Sequence, residues 1–414
     1  MKFNQFINKF KLVEILLILI PFSAISGPLI ADLFMVSFSL FGLKLLFKKK
    51  YYNKFKLIYF FFILLCSYLI LRSIFSDYIK LSFESSLFYI RYPLFALGFG
   101  IFLFKNINKI TYFIYGIIIS FGLIFFDSIF QFATGFNLLG FPIINVGRIS
   151  SFFKDELVMG SFISRTFPIL VFSLFYLFNE KKYRLYSSLT AIFLSAFILI
   201  YMSGERTALA IFLIGSFLIA IYIKNLWKIF LISAFFTIIV AFIINIYYPH
   251  FKGRIINHTI SQLTQSTSLI NIFSKGHQEH FRSAYLIYKQ NIIFGKGPKT
   301  FRVECQKEEN NPKGCTTHPH NIIFQLMAET GLIGISFFLT IYFLIIKNLI
   351  SLFYNTHTTL NTYKYLMFTC IFINFFPLIP SGNLFNNWLN FIFYLPLSIL
   401  VFIKLAEYNK LKKK

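Results

Sequence analysis

Apolar runs of roughly 18 to 24 residues recur along the whole chain, and each is long enough to cross a hydrocarbon core about 30 Å thick as a helix. Backbone amides in lipid must pair within their own segment, so these runs predict α-helices. They begin near Lys11, Pro28, Lys56, Ser85, Ile110, Leu157, Leu185, Thr207, Trp227, Gly331, Tyr363 and Phe385. The expected fold is all-α and polytopic, with about 12 transmembrane helices. The first nine fall in residues 1–247, a long polar loop occupies 248–330, and the last three, with a basic tail, fill 331–414. A smaller outer loop interrupts the first group at about 135–156. The first run follows the basic stretch Met1–Lys11. A second span comes directly after it with no small-residue cleavage site, so it reads as a retained helix.

Composition then fixes the solvent and the orientation. The chain has 414 residues, 57% of them hydrophobic, 21% aromatic and 13% charged, too apolar for a water-soluble domain. A formal charge of +25 would suit nucleic acid if it formed one basic face. Instead, with the N-terminus inside, 23 of the 40 Lys and Arg fall in cytoplasmic segments, including Lys48–Lys56, Lys181–Arg184 and Lys410–Lys414. This distribution excludes a nucleic-acid partner and, by the positive-inside rule, puts both termini in the cytoplasm. Ten more basic residues lie in the 248–330 segment, but long loops translocate largely regardless of charge. The expectation is a multi-pass protein of a bacterial inner membrane with its chemistry on the periplasmic side.

That long loop, read as containing short helices, holds the residues suited to chemistry. His250, His258, His277, His280, His318 and His320 all lie in it, and imidazole exchanges protons near neutral pH, so one of them could be a general base. The first four read as solvated loop side chains. Ser274–Gln290 spaces Phe281, Ala284, Tyr285 and Tyr288 as one face of a helix lying along the membrane, with Arg282 riding on it. Phe294–Pro298 forces a turn, and His320–Glu329 reads as a helix leading to the span at Gly331. Cys305 and Cys315 with His318 and His320 could make a tetrahedral zinc site. Thiols on an oxidising face more often pair, and a Cys305–Cys315 disulfide would stiffen the approach to His320. Cys66 and Cys370 lie in spans and read as packing residues. The candidate carboxylates are Asp155, Glu156, Glu205, Glu279 and Glu329, of which Glu205 and Glu329 are equally suited to fixing helix ends. No Asp-x-Asp pair is present to hold a divalent metal against a diphosphate, so neither metal nor cofactor is expected.

Phe, Ile, Lys and Asn are abundant enough to suggest an AT-rich genome, which makes each arginine informative. Only Arg184 is cytoplasmic; Arg72, Arg91, Arg148, Arg165, Arg206, Arg254, Arg282 and Arg302 fall in outer loops or spans. A guanidinium fork binds phosphate oxygens bidentately and stays charged when partly desolvated. For Arg72, Arg254 and Arg302 the preferred reading is snorkelling or loop solvation. Arg206, in the tight outer turn Ser203–Thr207, suits an anion clamp. Arg148 lies in the smaller outer loop, and Arg91 and Arg165 lie deeper, where a charge either serves substrate or pairs, for example with Asp127.

These residues resemble the O-antigen ligase family, membrane glycosyltransferases that move a glycan from a polyprenyl diphosphate to the lipid A core. His320-Asn321, nine residues, then Gly331-Leu-Ile-Gly334 is similar to the family's periplasmic motif. Arg282-Ser-Ala-Tyr-Leu286 resembles its second loop motif, and Ser203–Thr207 its short arginine-bearing turn. The resemblance implies a fold of the GT-C type and a metal-independent transfer from undecaprenyl diphosphate to lipid A core. It implies that Arg206 and Arg282 hold the diphosphate while His320 serves the acceptor hydroxyl. His318, Asn321, Arg91, Arg148 and Arg165 are the further substrate-binding candidates. An O-antigen polymerase or another bactoprenol-linked transferase would share the same residues, the acceptor alone differing. A transporter or flippase for the same lipid would also place basic residues in spans, but it should show paired broken helices in two halves, which the sequence lacks. A silent scaffold leaves the loop's arginines and histidine motif without a role.

Overall fold

The computed structural model describes residues 12–264 and 273–412. The Met1–Lys11 stretch and the end of the basic tail, residues 413–414, lie outside the described residues. The expected apolar runs form α1 (Leu12–Ser23), α2 (Pro28–Leu46), α3 (Lys49–Ile74), α4 (Ile79–Ser86) with α5 (Arg91–Lys105), and α6 (Ile110–Thr134). They continue as α7 (Met159–Phe178), α8 (Lys182–Ser203), α9 (Arg206–Tyr222) and α10 (Leu226–Tyr247). After the long polar segment, whose main helix is α11 (Lys275–Gln290), come α12 (Ile322–Tyr354), α13 (Thr359–Asn374) and α14 (Asn387–Lys412).

Among the described residues, nine helices are long and apolar enough to cross a membrane, which makes this a multi-pass membrane protein. Three of the twelve expected runs are shorter there: α1 over 12 residues, α9 over 17 and α13 over 16. The end of α13 at Asn374 falls just before Pro377 and Pro380, where a helix loses both a donor and room for its ring. The run near Ser85 is also not one helix, because a turn at residues 87–90 separates α4 from α5. In α5, nearly every side chain from Tyr92 to Gly100 is buried, and Phe95 and Phe99 are fully enclosed. A helix apolar all round belongs at the centre of a bundle, and α5 packs between α2 and α14. Arg91, at its start, faces Asp32 at 3.5 Å and donates to Asn387 Oδ1 at 2.7 Å. Asp127 is engaged elsewhere, accepting from the Leu138 amide and the Ser151 hydroxyl, so the expected Asp127 pairing is replaced by Asp32.

The tenth expected span begins at Gly331, as its sequence suggests, directly after a preceding helix. A helix from Ile322 meets the span at Gly331, whose φ of 61° and ψ of −161° are non-helical, so α12 is two helices joined across a kink. The break is tolerated because residues 292–297 lie alongside it and take up the freed backbone groups. Lys296 and Gly297 amides donate to Ala328 and Glu329 carbonyls, while Leu332 and Ile333 amides donate to Ile292 and Ile293 carbonyls. The approach is so close that a Cβ on Gly331 would meet the Ile293 carbonyl, and one on Gly295 would meet Thr330 backbone. Arg72 is not snorkelling: it is buried and donates to the Gly295 carbonyl at 2.9 Å, and the Tyr68 hydroxyl donates to the Thr330 carbonyl at 2.5 Å. Gly331→Val is expected to combine positive-φ strain with a backbone clash, lowering stability by at least about 2 kcal/mol. The check is a thermal melt of the detergent-solubilised protein, in which an unchanged Tm would remove this account of the motif's first glycine.

The polar connections gather at one end of the bundle. The Ile149 amide donates to Met202, Gly147 abuts the His250 backbone, the Ser381 amide donates to His320, and Ser76 donates to Lys296. Segments 75–90, 135–158, 203–205, 248–264, 273–321 and 375–386 therefore form one polar cap.

Candidate functional site

The cap is organised by α11. Ser274 caps its start by accepting from the His277 amide, and its buried face, Phe281, Ala284 and Ile287, packs on α12. Phe281 stacks on Phe324 with centroids 4.5 Å apart and planes 4° from parallel. Of the face read from sequence, Phe281 and Ala284 are covered by protein, whereas Tyr285 is exposed. Across α11 lies the segment closed by the Cys305–Cys315 disulfide. The thiols form this bond, which removes them from any zinc site. Asn311 accepts from Ser283 and donates to Glu279 Oε2, and the Gly314 carbonyl meets His280 Nδ1 at 2.8 Å. The bridge therefore holds a carbonyl against a helix histidine.

Beyond Cys315 the chain brings His318 and His320 onto the same helix. His320 has a φ of 55°, a left-handed conformation uncommon outside glycine. It is held there on both sides. The Ser381 amide donates to its carbonyl, and Asn321 caps α12 by accepting from Ile323 and Phe324 amides while donating to the Pro377 carbonyl. The His320 ring lies 4.1 Å from His318, 5.3 Å from His280 and 5.6 Å from His277, centroid to centroid. His277 and His280, read from sequence as solvated, are thus half-buried members of one four-imidazole cluster. Their i, i+3 spacing on an amphipathic helix was the available signal, since it places both on one face.

Burial and then the neighbouring His277 and His280 push the His320 imidazolium down to about 4. Burial and then His320 push His318 down to about 3, with Arg302 adding and the Ser381 backbone opposing. Burial, His280 and Arg206 lower His277. Each imidazole so shifted is neutral at pH 7 and can accept a proton. Among the described residues no group of three His, Cys, Asp or Glu is arranged to hold a metal ion.

Of the arginines, Arg206 joins this cluster. Gly204 turns the chain in a left-handed conformation, and Glu205 anchors the turn by accepting from the Gly160 and Ser161 amides at the start of α7. Arg206 follows as the first residue of α9, within reach of the Thr259 hydroxyl at 3.5 Å and close enough to His277 to act on its charge. Arg302, read from sequence as solvated, acts likewise on His318. Arg148 ties the small outer loop to this turn by donating to Ser203 and Leu157 carbonyls. Arg165 is buried in α7, donates to the Asn374 carbonyl and faces the Phe393 ring. Arg282 is exposed and lies about 200° round α11 from His280. The structure brings together Arg206, His318, His320 and Asn321, and it leaves Arg91, Arg148, Arg165 and Arg282 outside. Glu329 is also structural in its contacts, accepting from the Phe301 amide and Gln325.

Below the cap, a groove of about 760 Å³ opens between α3, α12 and α14. It is lined by apolar side chains from Leu326 and Thr330 at one end to the Lys364–Glu407 ion pair at the other. Beyond the kink, Gly334 to Asn348 is about 21 Å of helix along this groove. Leu326 lies in the second turn of α12, whose cap Asn321 directly follows His320.

A bundle of membrane-spanning helices, capped by clustered imidazoles beside a guanidinium and flanked by an apolar groove, defines an integral membrane protein. Residues 190–339 of the chain match the model of the O-antigen ligase family. The match spans Arg206, Arg282, the disulfide, His318, His320, Asn321 and both glycines of the Gly331–Gly334 motif. No curated protein matches the chain.

Replacing both cysteines by serine is expected to free the Gly314 carbonyl from His280. Loss of a bridge closing so short a segment costs about 3 kcal/mol in the chain-entropy model. The Tm under oxidising conditions should fall accordingly, and a Tm equal to wild type would detach the bridge from the site.

Proposed function

We propose that this protein is an O-antigen ligase, transferring a glycan from undecaprenyl diphosphate to the lipid A core oligosaccharide in lipopolysaccharide biosynthesis. The proposal includes a GT-C-type architecture, an inner-membrane location, cytoplasmic termini and a periplasmic polar cap formed largely by residues 248–330. The observation that carries it is His320, fixed on a strained backbone at the head of a helix that lines the groove, with His277 between it and Arg206.

In this reading the polyprenyl chain lies in the groove between α3, α12 and α14, and the diphosphate rises to Arg206. As the anomeric C–O bond to the diphosphate breaks, negative charge grows on the leaving oxygen, where a positioned guanidinium stabilises it. The acceptor hydroxyl approaches His320, whose ring nitrogen takes its proton as the new glycosidic bond forms. His318 and Asn321 shape this pocket, while Arg91, Arg148 and Arg165 support the fold around it. Arg282, at the exposed face of α11, is left as a contact for the donor outside the cluster.

The test is glycan transfer by the full-length protein in lipid nanodiscs, using a polyprenyl-diphosphate-linked glycan and purified lipid A core in the presence of EDTA. Core-linked glycan formed at an undiminished rate is expected. Loss with EDTA would refute the metal-independent reaction, chain lengthening on the carrier would make the protein a polymerase, and neither product would favour transport.

A further inference from the structure

Resting on this transfer reaction, we propose that His280 is a positioning residue that receives the acceptor's proton from His320 and passes it to solvent. Among the four clustered imidazoles, His280 is the one whose Nδ1 faces a carbonyl, that of Gly314 at 2.8 Å. The corresponding nitrogens of His277 and His318 face hydroxyls, which accept or donate equally well. A carbonyl only accepts, so Nδ1 of His280 carries the hydrogen and Nε2 keeps its lone pair in the neutral ring. The His280 ring lies 5.3 Å from that of His320, tilted by 39°.

The need for a second acceptor follows from the position of His320. It is half-buried among other imidazoles, where burial disfavours its cation, so a proton taken there must leave quickly. His280 is placed to take it, because the Gly314 carbonyl holds its Nδ1–H and leaves Nε2 as the ring's free acceptor. Gly314 lies directly on α11, where a side chain would meet the Glu279 carbonyl and the Ser283 hydroxyl, and the adjacent Cys315 anchors it through the disulfide. The groups facing His280 are His277 on its own helix, with Arg206 beyond it, and His318 and His320 from the opposite segment, with Arg302 beyond His318. The neighbouring Glu279 carboxylate is turned to Asn311.

The protons balance. The acceptor O–H bond breaks as its oxygen bonds the anomeric carbon, and the lipid diphosphate departs with the electron pair of the broken C–O bond. The proton forms an N–H bond at His320. It then moves to Nε2 of His280, restoring neutral His320, and is lost to water.

The test compares wild type with His280→Asn and His280→Ala in the nanodisc transfer assay, at fixed pH and rising imidazole concentration. Asparagine retains an N–H donor for the Gly314 carbonyl but cannot accept a proton, so it repairs a structural role and not a relay. His280→Asn is expected to lower kcat by about tenfold or more with KM unchanged, and kcat should recover as imidazole is added, while wild type is insensitive to it. A kcat for His280→Asn within about twofold of wild type, or a lowered kcat that imidazole does not raise, would overturn the proposal. Absence of transfer by wild type would instead overturn the reaction on which it rests, and this inference with it.

Discussion

His320→Ala is expected to lower kcat for glycan transfer by about 10²- to 10⁴-fold, the range typical for loss of a positioned general base. Alanine also suits the left-handed backbone at this position poorly, so the informative partner is His320→Asn, which tolerates that conformation and has no basic nitrogen. Both variants should be equally inactive while His320→Asn keeps the wild-type Tm. The pH dependence sharpens the assignment. With the imidazolium lowered to about 4, His320 is unprotonated throughout the neutral range. The rate should therefore be flat between about pH 6 and 8 and fall only as acid protonates the ring, since the cation has no lone pair to accept with. An acid limb near pH 6.5, the ordinary value for histidine, would mean that a solvated imidazole is the base. Retention of wild-type rates by His320→Asn would remove the base altogether.

How much of this was legible in the sequence depends on distance along the chain. The helices were, because a run of apolar residues states its own secondary structure in lipid. So was the place of His320 at a helix start, since Asn321 is a local capping signal. The cluster around it was not, because His277 and His280 reach His320 only after Phe281 stacks on Phe324, a contact between segments some forty residues apart. Arg72 shows the same limit. Nothing in its own neighbourhood says that its partner is the Gly295 carbonyl, more than two hundred residues away. The Gly331 motif was visible as a pattern but not as a cause: its first glycine is required by the pairing of residues 292–297 with a broken helix. Arg282 is the reverse case, a residue whose motif is local and whose position on α11 faces away from the cluster.

Arg206 carries the second large effect. Arg206→Ala is expected to reduce kcat by about 10²-fold, equivalent to roughly 3 kcal/mol of lost stabilisation of the departing diphosphate. The ground-state affinity for the donor should change less, because charge on the leaving oxygen is greatest as the C–O bond breaks. Lysine should restore only part of the loss, since a point charge cannot reproduce the bidentate fork. Two features separate this from disruption of the turn. Glu205, not Arg206, holds the turn to the start of α7, so the variant should keep its Tm, whereas Glu205→Ala should not. Arg206 also acts on His277, and removing its charge should raise the pH at which His277 protonates. Measuring single-turnover rates with the donor prebound, together with the affinity for free polyprenyl diphosphate, separates the two contributions. A variant that turns over at the wild-type rate once saturated would make Arg206 a docking residue for the donor and leave the stabilisation of the leaving group to other donors in the cap.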